Sequence, residues 1–206
     1  IPNRYRKIQR GGRLMKRLPI ILCILLFVTP CLANQIIIGK KKAAASCSVD
    51  TNEVGDRTDY SATGHFSFTN TYMGCVEATA NCSGTLEYAF ARHYGTASDK
   101  GKVCVFNRLS AAPPDSNDTL IGCGEITTSS NDWAQSAAKV GGAVTNGANY
   151  WICIIGASEE FDIARTDSGS KTLYYVASGA NYTTPSLDLS FSNTASRDYS
   201  MYVRIE

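Results

Sequence analysis

Six cysteines, Cys47, Cys75, Cys82, Cys104, Cys123 and Cys153, are the residues whose spacing most directly implies chemistry, and that chemistry is oxidative cross-linking. No two of them show the two-residue separation of a zinc knuckle, and the chain has only two histidines, so the set reads as disulfides rather than metal ligands. An even set in an exported chain allows three bridges, and the sequence leaves their pairing open. Cys75 and Cys82, which flank the short stretch 76–81, are the first pair expected. Cys23 and Cys31 fall earlier, in a different kind of segment.

Side chains able to do acid–base work are few. His65 lies in "GHFSF" and His93 ends "FARHYG", and neither adjoins a nucleophile elbow. Glu87 in "LEYAF" and the pair Glu159-Glu160 in "SEEFD" are the carboxylates a glycosidase would need. Glu87 alternates away from the apolar positions and Glu159-Glu160 sit in a turn-like stretch, so both read as solvated. The expectation is a chain with no catalytic residue, no cofactor and no metal. "PPDSNDT" and "SSND" concentrate oxygen ligands without the spacing of a calcium loop, and turn chemistry accounts for them. Three N-x-S/T triplets, at Asn81, Asn117 and Asn181, are candidate glycosylation sites in expected loops.

The elements that would carry these residues are strands. "HFSFT" sets Phe66 and Phe68 on one face, "TLEYAFAR" aligns Leu86, Tyr88 and Phe90, and "YSMYVRI" aligns Tyr199, Met201, Val203 and Ile205. "KVCVF", "LIGCGEI", "NYWICIIG", "EFDIA", "TLYYVA" and "LDLSF" are further strand candidates, separated by Gly, Asn, Asp, Ser and Pro clusters. Only "NDWAQSAAK" reads as a short helix, capped by Asn131 or Asp132. Nine or ten strands imply an all-β fold, a two-sheet antiparallel β-sandwich of jelly-roll type over residues 47–206, with an extended N-terminal strand arm.

Upstream, Met15-Lys16-Arg17, an apolar run and the small-residue stop Cys31-Leu32-Ala33 have the layout of a secretory signal peptide. Cleavage after Ala33 would start the mature chain at Asn34 and leave no stable membrane anchor, since the run is shorter than the roughly 20 residues of a span. Residues 1–14 are read as upstream sequence or a long basic n-region. The whole chain has 20 basic and 18 acidic residues, and residues 1–33 hold seven of the basic and none of the acidic ones. The remainder therefore carries 13 basic and 18 acidic residues, a net charge near −5, which excludes the clustered cationic footprint of a nucleic-acid binder.

Residues 34–46, "NQIIIGKKKAAAS", form the arm and its spacer. In an extended strand Ile36 and Ile38 share one face and Ile37 takes the other. Burying each is worth roughly 1.5 to 3 kcal/mol, so the segment needs a sheet to join. Residues 39–46 then act as a hydrophilic spacer that spans up to about 26 Å. The sheet can be the arm's own or a neighbour's, and the sequence leaves both open.

The run "NYWICIIGASEEFDIARTDSGSKTLYYVASGANYTTPSLDLSF" ending in "RDYSMYVRIE" resembles the C-terminal half of secreted jelly-roll domains of environmental bacterial and phage type. With its leader and apolar arm, the chain is also similar to subunits of extracellular helical fibrils, in which a terminal strand completes the sheet of the next subunit. That resemblance implies a secreted, homopolymeric structural protein assembled by donor-strand complementation through Ile36, Ile37 and Ile38, and "DYSMYVRIE" is the expected acceptor edge. The rival expectation is a lectin-like module whose partners are glycans. Trp133, in an expected loop or helix start, is then the stacking residue, while Trp151 inside "YWICII" belongs to the core.

Overall fold

A computed structural model describes residues 52–95, 99–128, 130–157 and 160–206. Ile36, Ile37, Ile38, Cys47 and Glu159, together with the leader, lie outside the described residues. The described chain is all-β, with no helix. The strands are β1 (Glu53–Asp56), β2 (His65–Phe68), β3 (Met73–Thr79), β4 (Gly84–Arg92), β5 (Lys100–Asn107), β6 (Leu120–Thr127) and β7 (Trp133–Gln135). They continue with β8 (Ala143–Val144), β9 (Asn149–Gly156), β10 (Phe161–Thr166), β11 (Thr172–Val176), β12 (Asn193–Ser196), β13 (Asp198–Tyr199) and β14 (Met201–Ile205).

They form three antiparallel sheets, consistent with a β-sandwich. One layer is six-stranded, in the order β12-β11-β3-β9-β5-β6. Facing it are β1-β14-β4-β7, with β8 on β4, and the three-stranded sheet β13-β10-β2. β13 and β14 are one nearly continuous C-terminal segment interrupted at Ser200, whose amide donates to Ala164 and whose carbonyl accepts from Arg92. That segment joins the two smaller sheets.

The interior between layers contains Tyr199, Met201, Val203 and Ile205, as the alternation of the C-terminal strand predicts. It also contains Phe68, with Phe66 packed against its margin. β9 is buried on both faces and so lacks a polar alternation. Tyr150, Ile152 and Ile154 face the interior, and Trp151, Cys153 and Ile155 enter a second cluster on the outer face. Residues 177–192 supply Ala180, Leu187 and Phe191 to cover that outer cluster. Aromatic rings lie directly on glycines where the layers approach: a Cβ on Gly101 would stand 2.8 Å from the Phe161 ring, and one on Gly74 would stand 2.7 Å from Phe68.

Four expectations are corrected here. "NDWAQSAAK" contains strand β7, not a helix, because Trp133, Ala134 and Gln135 pair with Arg92, Ala91 and Phe90 of β4. "LDLSF" is not a strand; it lies within the irregular cover, without a ladder. Leu86, Tyr88 and Phe90 do not share a face, because a register shift opposite Val203 and Ile205 places a bulge in β4. Leu86, Ala89 and Ala91 point inward as a result, while Phe90 stacks outside on Tyr202 at 4.7 Å. Cys75 bonds Cys153 rather than Cys82. Cys75 belongs to the outer cluster and Cys82 to the interior one, on opposite faces, so the two sulfurs cannot meet. The second bridge is Cys104–Cys123, and Cys82 is itself disulfide-bonded.

Candidate functional site: the open edge of β2

Sheet margins carry unpaired peptide groups and must be covered, blunted or used. At β1, the Asn81 side-chain carbonyl accepts the Glu53 amide at 2.8 Å, and the Asn81 amide reaches the Glu53 carbonyl at 3.4 Å. Asn81 thus caps that edge. The long edge of β6 is overlain by residues 136–142: Ser136 bridges Ile126, and the Ala137 amide donates to Glu125. Gly122 permits this crossing, since a Cβ there would stand 2.4 Å from the Val140 carbonyl oxygen. β12 is short, polar and mostly exposed. The expected acceptor "DYSMYVRIE" is divided: β14 is interior, flanked by β1 and β4, and β13 is a margin strand of two residues on β10.

β2 is different. Among the described residues it pairs with β10 alone, and the Arg165 amide donates to the Gly64 carbonyl at one end of that ladder. Ladder alternation turns the peptide groups of His65 and Ser67 toward the open side, where no described residue meets them. Side chains of β2 alternate as "HFSF" dictates. His65 stacks on Tyr94 outside at 4.6 Å, the Ser67 hydroxyl bonds Asp162, and Phe66 and Phe68 point inward.

Beside this edge the interior is incompletely covered. Phe66, Tyr72 and Tyr175 are each partly exposed, with Tyr72 and Tyr175 stacked at 5.6 Å and Phe66 5.4 Å from Tyr72. The guanidiniums of Arg165 and Arg197 lie 5.3 and 5.0 Å from the Phe66 ring centre, both ion-paired to Asp167 at 3.2 Å. Burial, with the Tyr175 and Tyr199 phenols alongside, pushes Tyr72 up to about 12. Tyr199 is pushed to about 12 by burial against the opposing pull of Arg197 and Arg165, and its buried hydroxyl has no hydrogen-bond partner among the described residues. The arrangement is an aromatic shelf beside a strand edge, suited to receiving an apolar strand or a flat ring.

The other sequence candidates are dispersed. Trp133 is partly buried at the β7 margin, edge-on to Tyr202 at 5.4 Å, away from the shelf residues in every contact it makes. Trp151 is fully buried, and its indole nitrogen donates to Asp118 at 2.9 Å. His93 is fully buried too, its ring nitrogens 3.3 Å from the Ser130 carbonyl and 3.3 Å from Asp99. Glu87 lies within 3.9 Å of Lys139 and Arg204, and Glu160 is exposed. Asn81, Asn117 and Asn181 are all exposed. Among the described residues no His, Cys, Asp and Glu cluster has the arrangement of a metal site.

Sequence reasoning missed the shelf. Tyr72 follows "NT" in a loop, and Tyr175 alternates with Leu173 as any interior residue would; only the β2 margin makes them a surface. No protein-family model matches this chain, and no curated protein does.

Proposed function

We propose that this chain is a secreted structural subunit that polymerises into an extracellular filament, with residues 34–38 of one copy adding as a strand to the β2 edge of the next. The observation carrying this reading is that β2 presents peptide groups that no described residue meets, beside half-covered aromatic rings, whereas β1, β6 and β12 are capped, overlain or short and polar. Strand addition uses backbone bonds for affinity and alternate side chains for specificity. Ile36 and Ile38 share the face that would meet the shelf. Donor and acceptor are different surfaces, so the contact is heterologous, and a rotation that does not close propagates as a filament. Disulfides support an oxidising, extracellular setting.

The test compares protein starting at Asn34, the same protein lacking residues 34–46, and a Ser67→Pro variant, by negative-stain electron microscopy and light scattering. Proline removes an amide on the open side of β2 and leaves the β10 ladder intact. Filaments from the first and folded monomers from the other two are expected. Filaments from either altered protein would refute the assignment. The second reading, a glycan-binding module, is favoured by the stacked Tyr72–Tyr175 pair. It predicts that the unaltered protein stays monomeric and loses binding on a glycan array when Tyr72 or Trp133 becomes Ala.

A further inference from the structure

Cys75, Cys153, Cys104 and Cys123 lie in one row across four adjacent strands. The register sets Cys75 opposite Cys153 on β3 and β9, Cys153 opposite Cys104 on β9 and β5, and Cys104 opposite Cys123 on β5 and β6. All four belong to the outer-face cluster beneath residues 177–192. The bonded pairs have Cα separations of 4.0 and 4.1 Å, the close spacing of non-hydrogen-bonded pairs. Alternation across β9 and β5 makes Cys153 and Cys104 the intervening hydrogen-bonded pair, with Cα atoms about 5.5 Å apart. That distance is within the range a disulfide spans.

Exposure falls along the row: Cys123 on the margin strand is partly exposed, while Cys104, Cys153 and Cys75 are buried. We propose that Cys123 is a site of S-thiolation by a small-molecule thiol, and that the row relays this attack inward to Cys75. The external thiolate attacks Cys123 Sγ, forming a mixed disulfide; the Cys123–Cys104 bond breaks and its electron pair leaves on Cys104. Cys104 Sγ then attacks Cys153 Sγ, the Cys104–Cys153 bond forms, and the Cys153–Cys75 bond breaks. The leaving pair resides on Cys75, which takes up the proton the external thiol released. One thiol is consumed and one appears, so no oxidant is required.

The relay replaces two covalent ties between strands by one, and the β5–β6 tie is lost. β3 is tied to β9 before it, and β9 to β5 after it. Tyr182 stands over the entry point, its hydroxyl donating to Glu125 at 2.9 Å and its ring under the Lys102 ammonium at 4.3 Å. Tyr182 also packs against the cysteine cluster, so the cover is fastened next to the sulfur that reacts first.

The test treats the folded protein with glutathione without denaturant, quenches in acid, alkylates in denaturant, and maps peptides by mass spectrometry. Expected are glutathione on Cys123, alkylation at Cys75 and a Cys104–Cys153 linked peptide. Alkylation confined to Cys104 overturns the relay, and glutathione on another cysteine, or on none, overturns the site. A Cys123→Ser variant, checked by circular dichroism to be folded, leaves Cys104 as an odd thiol with no added reagent. Label shared between Cys104 and Cys75 is then expected, and label on Cys104 alone refutes the exchange.

Discussion

Asp118→Asn removes one charge from the interior and rearranges five hydrogen bonds. The carboxylate, 4% exposed, accepts the amides of Leu109, Ser110 and Asp115, the Ser110 hydroxyl and the Trp151 indole, at 2.7 to 3.1 Å. Burial acts to raise its pKa, but the Ser110, Leu109 and Asp115 donors outweigh burial and hold it below the usual carboxylate range. An amide replaces one oxygen with a donor, so at least two of the five donors lose their acceptor. At about 1.5 to 3 kcal/mol for each charge-assisted bond, the loss of two is expected to cost about 3 to 6 kcal/mol. For a domain of this size that lowers Tm by on the order of 10 °C in scanning calorimetry. A depressed folded-state pKa contributes stability above the unfolded value near about 4, and that contribution is lost as pH falls through the folded value. The gap between wild type and variant is therefore constant from neutral pH down to about pH 5 and narrows below about pH 4. An unchanged Tm at pH 7, or a gap that stays constant into strong acid, would refute the reasoning.

Gly101→Ala forces a methyl into the Phe161 ring, with all three nearest atoms under 3.0 Å, and is expected to cost about 1 to 3 kcal/mol in urea unfolding with little change in slope. Tyr72 and Tyr199, both pushed to about 12 by burial, are expected to remain protonated in an ultraviolet titration beyond the ordinary phenol range, as is Tyr182, which burial and its hydrogen bond to Glu125 also push up. The raised folded-state pKa values of Tyr72 and Tyr199 contribute stability that is complete below about pH 10 and disappears as pH rises toward 12.

Strands whose side chains obey a simple period were legible in the sequence, and the exceptions have specific causes. "NYWICIIG" corresponds to β9 in full, since a continuous apolar run bounded by turn residues suits a strand buried on both faces. The alanines and N-cap of "NDWAQSAAK" favour a helix locally, yet pairing along β4 prevails. "LDLSF" does alternate, and its apolar members Leu187, Leu189 and Phe191 all reach the outer cluster; it is extended in pattern but has no strand beside it to bond. The bulge in β4 is invisible because one inserted residue reverses the phase without changing composition. Cysteine pairing failed for a related reason. Proximity in sequence favoured Cys75 with Cys82, but which face a cysteine occupies depends on strand register, and the observed partners are 78 and 19 residues apart. The candidate site was half legible: the arm's need for a sheet follows from its isoleucines, whereas the identity of the free edge depends on how Asn81 and residues 136–142 guard the other margins.

An edge that no described residue caps, beside partly exposed aromatic rings, favours being filled, and the source of the filling strand has a thermodynamic signature. A strand supplied by the same chain stabilises the domain independently of concentration. A strand supplied by a neighbour is a ligand for the folded state, and its stabilisation grows as the logarithm of concentration, reaching about 2.7 kcal/mol at a hundred times the dissociation constant. For a domain of this size that raises Tm by about 5 to 10 °C. Protein starting at Asn34 is therefore expected to melt higher as its concentration rises, while the version lacking residues 34–46 melts at one temperature throughout. Adding a peptide of residues 34–46 to the shortened protein should restore the increase in a dose-dependent way, and Ser67→Pro should abolish it. A Tm of the longer protein that does not move with concentration would show the arm to be the domain's own strand, and the β2 edge would then be closed within each molecule.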